Sequence, residues 1–142
     1  MLNRRLCLSL VLGLLVCAPT LARAQDKPVT ASEGWIKLPA AGETSTMAFA
    51  TINNPGMYDV YIVSGSTDIA EKVELRDAKK GAAPADDVVL THYESTYLTA
   101  KGAYLFLSGL KRPLKEGEKV WIALKLDNNE SVDVEATVKK EP

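Results

Sequence analysis

Beyond residue 17 the chain has no cysteine: of its 142 residues two are cysteine, Cys7 and Cys17, both near the start. The rest has no thiol for a disulfide, a thiolate metal site or nucleophilic attack. Histidine is nearly as scarce, with His92 alone, and methionine after the first residue is limited to Met47 and Met57. A Ser-His-Asp hydrolase would have to use His92, yet no Gly-x-Ser-x-Gly elbow accompanies it. Gly-x-x-x-x-Gly-Lys and Gly-x-Gly-x-x-Gly are also missing, and with them the loops that cradle phosphates. Asp86, Asp87 and Glu94 lack the regular alternation and central glycine of a calcium loop, so a solvated loop edge is the reading there. Nothing in this inventory supports an enzyme.

Acidic residues are missing from positions 1–24, which hold Arg4 and Arg5, the apolar run from Leu6 to Ala18, and Ala22-Arg23-Ala24. Basic start, apolar middle and small-residue exit make a secretory signal peptide, cleaved after Ala24. The run is about 13 residues where a spanning helix needs roughly 20. Val16 precedes Cys17, where a lipid-modification site wants Gly, Ala or Ser. The remaining domain, 25–142, is expected in the periplasm or secreted. It has fourteen Lys and Arg against eighteen Asp and Glu and no basic cluster. That balance excludes nucleic acid and electrostatic docking on anionic lipid, and no further segment is long enough for stable membrane insertion.

What the domain does have is period-two alternation. Val132, Val134, Ala136 and Val138 alternate with polar residues, as do Val120, Ile122, Leu124 and Leu126 before Asn128-Asn129, a pattern that predicts a terminal β-hairpin. Further strands are predicted at Val29–Leu38, Met47–Asn53, Asp59–Ser64, Lys72–Arg76, Val88–Tyr93 and Ala103–Leu107. About eight short strands without a helical stripe make an all-β, immunoglobulin-like sandwich or barrel. Lys79–Asp87, polar and small, reads as a loop.

Transition metals are the one site chemistry left open. In an oxidising compartment Cu(I) is held by thioether and imidazole, and His92, Met47 and Met57 are the available donors. No two of them are close in sequence, so spacing gives no metal motif.

Three segments carry a likeness to a known family: Thr51-Ile-Asn-Asn-Pro-Gly56, Val73-Glu-Leu75, and Gly109-Leu-Lys-Arg-Pro-Leu-Lys-Glu-Gly117 feeding the strand Val120–Leu126. From Gly34-Trp35 to about Val138 the chain resembles the periplasmic copper chaperone PCu(A)C family, exported domains with a cupredoxin-like β-sandwich. The family binds copper through a histidine and a methionine just after the Val-Glu-Leu strand, a further methionine, and a His-x-Met pair before the Gly-Leu turn. Here Arg76 and Ala78 stand in the first two positions, Tyr104 and Phe106 in the pair, with Ser108 where a second methionine is often found. Lys79–Lys101 holds no methionine. The resemblance therefore implies a copper-chaperone scaffold whose ligands are substituted. Arg76 puts a permanent positive charge where a cation would sit. It is expected to pair with Tyr104 and to be held by Asp77.

Two readings follow. In the first, the protein is an accessory or binding module without the usual copper site and without a cofactor, monomeric, with an exported protein as partner. In the second, copper is still delivered to a cuproprotein through a divergent site that includes His92 with Met47 or Met57. Trp121, opposite Val120 and Ile122 on its strand, is the candidate partner contact.

Overall fold

The computed structural model describes residues 27–85 and 88–140. The expected signal peptide, its cleavage point after Ala24 and the pair Asp86-Asp87 lie outside these. Ten strands follow one another: β1 (Thr30–Lys37), β2 (Ser45–Asn54), β3 (Val60–Thr67), β4 (Ala70–Asp77), β5 (Ala83–Pro84), β6 (Val88–Leu90), β7 (Glu94–Tyr97), β8 (Ala103–Leu110), β9 (Lys119–Leu126) and β10 (Ser131–Lys139). Among the described residues one 3₁₀ turn, Ala78–Lys80, interrupts them, started by Asp77, whose side chain accepts the Lys79 N–H.

Each of the eight predicted strands is present, and the all-β class holds. The count of about eight becomes ten because β5 and β7 are added. These two are short and expose most of their side chains, so no apolar alternation announces them. They form through backbone pairing, β5 with β4 and β7 with the second half of β2. The predicted Val88–Tyr93 strand stops at Leu90, because the Asn54 side-chain amide takes the Leu90 carbonyl oxygen at 2.8 Å and the chain then turns. His92 therefore sits in a turn, not on the strand face of Val88 and Leu90.

The strands hydrogen-bond in the order β4-β8-β2-β1-β10-β9-β3, and a β3–β4 pairing at Gly65↔Val73 closes the circuit. β1 and β10 run parallel, the other pairs antiparallel. The closed sheet is a flattened barrel or sandwich, which leaves few open edges for unwanted pairing. Its interior is one core to which β9 gives Val120, Ile122, Leu124 and Leu126, and β10 gives Val132, Val134, Ala136 and Val138, as the alternation requires. Ala48, Ala50 and Ile52 of β2 and Leu75, Leu105 and Leu107 of β4 and β8 meet them. Truncating a fully buried leucine such as Leu105 to alanine removes packing worth about 2–5 kcal/mol.

Candidate functional site

Pairing of β4 with β8 sets Arg76 opposite Tyr104 and Glu74 opposite Phe106. Leu75, Leu105 and Leu107 point into the core, so period two turns Glu74, Arg76, Tyr104 and Phe106 to the outer face together. Three of the four positions at which the resemblance leads one to expect a copper ligand, Arg76, Tyr104 and Phe106, thus lie side by side on two neighbouring strands. The fourth, Ala78, is in the 3₁₀ turn that follows β4, with its N–H on the Gly102 carbonyl at 2.9 Å.

The side chains fill this patch. The Arg76 guanidinium carbon stands 3.7 Å above the Phe106 ring, a cation–π contact. Its Nη2 donates to Glu74 Oε2 at 3.0 Å and its Nε at 3.3 Å. Lys72 pairs with the other Glu74 oxygen. These two cations, Lys72 first and Arg76 second, hold the Glu74 carboxyl below its ordinary value. The expected partners differ: Tyr104 is Arg76's neighbour through the backbone, but Glu74 takes the guanidinium, and Asp77 is engaged by the Lys79 N–H at 2.9 Å. Tyr104 is only 5% exposed, its ring 6.4 Å from that of Phe49, which packs on Trp35 at 4.7 Å. None of Arg76, Tyr104, Phe106 and Ala78 offers a soft donor.

His92 lies elsewhere, at the far end of β2. Asp59 Oδ1 accepts the His92 backbone N–H at 2.9 Å and faces its Nδ1 at 2.6 Å. The backbone N–H is the larger of the causes that lower the Asp59 pKa, with the ring second. Tyr93, in the left-handed region at φ 57°, donates its N–H to the Gly56 carbonyl at 3.3 Å, tying this turn to the loop that carries Met57. Asn54, buried, fixes the same loop by donating to the Tyr58 and Leu90 carbonyls. Met57 is 60% exposed.

Met47 is half-buried on β2 opposite Phe106. Seven residues of strand separate it from Asn54, roughly 20 Å at about 3.3 Å per residue. The structure brings His92 and Met57 to one corner and leaves Met47 at the other end of its strand. Trp121 is exposed on the outer face of β9, as its alternation demands. Among the described residues no three of His, Cys, Asp or Glu gather within reach of one metal ion. Sequence reasoning missed Asp59 and Glu74. Asp59 is 33 positions from its histidine, beyond any local pattern. Glu74 was legible in principle, because Lys72, Glu74 and Arg76 alternate in sign along one strand face.

The closed, all-β domain, carrying a charged and aromatic outer face, is of the cupredoxin-like class of β-barrel or sandwich folds. A family model described as "Putative lipoprotein LpqE-like" matches residues 29–138, and the chain belongs to that family. It is 27% identical over 143 residues to "Putative lipoprotein Lxx21020" of Leifsonia xyli subsp. xyli, covering 92% of this chain and 85% of that one. Among solved structures, the apo PCuAC domain from PmoF1 superposes with a TM-score of 0.74 at 24% identity, over 82% of this chain and 97% of that one. The solution structure of CuI-DR1885 from Deinococcus radiodurans gives 0.70 at 29% identity, over 84% of each chain. The resemblance to PCu(A)C domains read from the sequence is thus shown, and with it the fold.

Proposed function

We propose that the protein is an exported, non-enzymatic PCu(A)C-type module that works without the family's His/Met copper site. The observation that carries this is the patch on β4 and β8, where a guanidinium stacked on a phenylalanine ring and a buried tyrosine stand at three mapped ligand positions. A cation brought there would meet the positive charge of Arg76 and no thioether or imidazole. The lipoprotein name of the Leifsonia relative agrees with export. In this chain, Val16 before Cys17 favours release after Ala24 over acylation. The module acts as a monomer on an exported protein, and Trp121 is the contact it presents.

A second reading is favoured by the corner at His92. Asp59 at Nδ1 leaves Nε2 outward, the arrangement in which a carboxylate orients an imidazole ligand, and Met57 is on the adjoining loop. Copper delivery through His92 and Met57 is the form of the alternative that this geometry supports, with Met47 too far along β2 to share it. One experiment addresses both. Titrating the purified protein with Cu(I) against a competing chelator is expected to show no stoichiometric site. A site of nanomolar or tighter affinity overturns the first reading. Its loss in His92→Ala then assigns it to this corner, whereas its persistence removes the second reading as well.

A further inference from the structure

The outer face where β10, β1 and β2 lie side by side has a groove of about 660 Å³, within the range of small-ligand sites. One wall is the Trp35–Phe49 pair, whose rings are 4.7 Å apart at 40°. Tyr97 of β7, exposed, stands opposite Thr51 at the same end. Between Ser32 and Trp35 the register of β1 against β2 shifts. Glu33 occupies that bulge with φ 52°, a left-handed conformation that costs a residue bearing a Cβ. Bulges of this kind re-aim side chains, and here the carboxylate is turned into the groove. Thr51 Oγ1 donates to Glu33 Oε2 at 3.1 Å and holds it there.

Among the described residues Glu33 has no cationic partner, whereas Glu135, the other carboxylate of the lining, is paired with Lys119 at 3.1 Å. Lys139 lies at the opposite end, beside Lys37 in the β1–β10 register, and so leaves the Glu33 end acidic. An uncompensated carboxylate and a tryptophan lining one groove are the combination that selects organic cations: the charge meets the carboxylate while the ring attracts the cation and covers its hydrocarbon stem.

We infer that this groove binds a guanidinium or ammonium group carried on a short alkyl stem, with Glu33 as its counter-ion and Trp35 as its stacking surface. The groove adjoins the β4–β8 patch through Phe49, which packs between Trp35 and Tyr104, but shares no lining residue with that patch or with the His92 turn, and the inference stands whichever reading of copper holds.

The chain has two tryptophans, so a Trp121→Phe background leaves Trp35 as the sole tryptophan, reported by excitation selective for indole over the tyrosines. The probes are agmatine as a free cation, acetyl-Ala-Arg-Ala-amide as a cation on a peptide, and the same peptide with citrulline as the neutral control. A saturable change in Trp35 emission with either cationic probe is expected. It should weaken with added salt, be absent with citrulline, and weaken by about tenfold or more in Glu33→Gln, the size of one charged contact. Glu33 is exposed, so the variant keeps the fold, which circular dichroism checks. Response to agmatine identifies a free small molecule as sufficient, and response to the peptide alone identifies an arginine of a polypeptide. No saturable response to either, an equal response to citrulline, or unchanged affinity in Glu33→Gln overturns the inference.

Discussion

A single carboxylate oxygen, Asp59 Oδ1, anchors the His92 turn by accepting its backbone N–H and facing its ring nitrogen. Because both contacts favour the ionised form, the Asp59 pKa lies below its ordinary 3.8. A depressed carboxyl contributes stability that is complete above the ordinary value and is lost as pH falls through the lower, folded-state value. The anchor is therefore intact at neutral pH and fails only in acid. Both side chains are well exposed, so the consequence is local and not a change in global stability. In Asp59→Ala, hydrogen exchange at the His92 and Tyr93 amides is expected to speed up at neutral pH while that of core amides such as Leu105 is unchanged. The unsubstituted protein should loosen in the same place when acidified below 3.8. Equal protection of the His92 amide in the two proteins at neutral pH would show that the contact anchors nothing.

At the level of strands, the β4–β8 register decides what the outer patch can hold. Arg76 opposite Tyr104 and Glu74 opposite Phe106 place side chains from separate segments within one small area. On the proposed reading, placing soft donors at those positions, with Arg76→His, Ala78→Met, Tyr104→His and Phe106→Met combined, is expected to create a site for one Cu(I) per chain. Competition against a Cu(I) chelator measures it, and a folded variant that takes up no copper would show that these positions are not what keeps copper out. The strands themselves were legible wherever an apolar face alternates with a wet one, which is why all eight predicted strands are found. β7 was not, since Glu94-Ser-Thr-Tyr97 shows no such alternation and exists through backbone bonds to β2. The end of β6 was hidden too, because it depends on an amide 36 positions away. The outer-face residues Arg76, Tyr104 and Phe106 were singled out through the family likeness, and the register sets them together. Glu74's hold on Arg76 needed the polar face of β4 to be read with the same period-two rule as the apolar one. The groove at Glu33 could not be read at all, because it arises from a bulge that composition does not announce.

The ring of strands contains one parallel seam, between its first and last strands, with Gly34 beside Ala136. Such a seam joins the two ends of the domain, so it can form only after most of the chain has been brought together. The strands come very close there. A Cβ added at Gly34 would lie 2.4 Å from the Glu135 carbonyl oxygen and 2.9 Å from Val134 Cγ1. The nearer atom is backbone, which cannot rotate aside as a side chain would, so β1 and β10 would have to move apart. That displacement would disturb Val134 and Ala136, both buried in the core. Gly34→Ala is therefore expected to destabilise the protein by about 1–3 kcal/mol, the usual cost of forcing an extra methyl group into a closely packed place. The control is Gly102→Ala, where the added Cβ would meet only Thr99 Oγ1 at 3.5 Å, an ordinary contact. That change should be neutral or stabilise slightly, through the reduced freedom of the unfolded chain. Urea unfolding separates the two, with a lower midpoint and unchanged slope for Gly34→Ala and no such fall for Gly102→Ala. If both variants unfold at the midpoint of the original protein, the parallel seam is looser than its geometry implies, and closure of the barrel must rest on the antiparallel pairs instead.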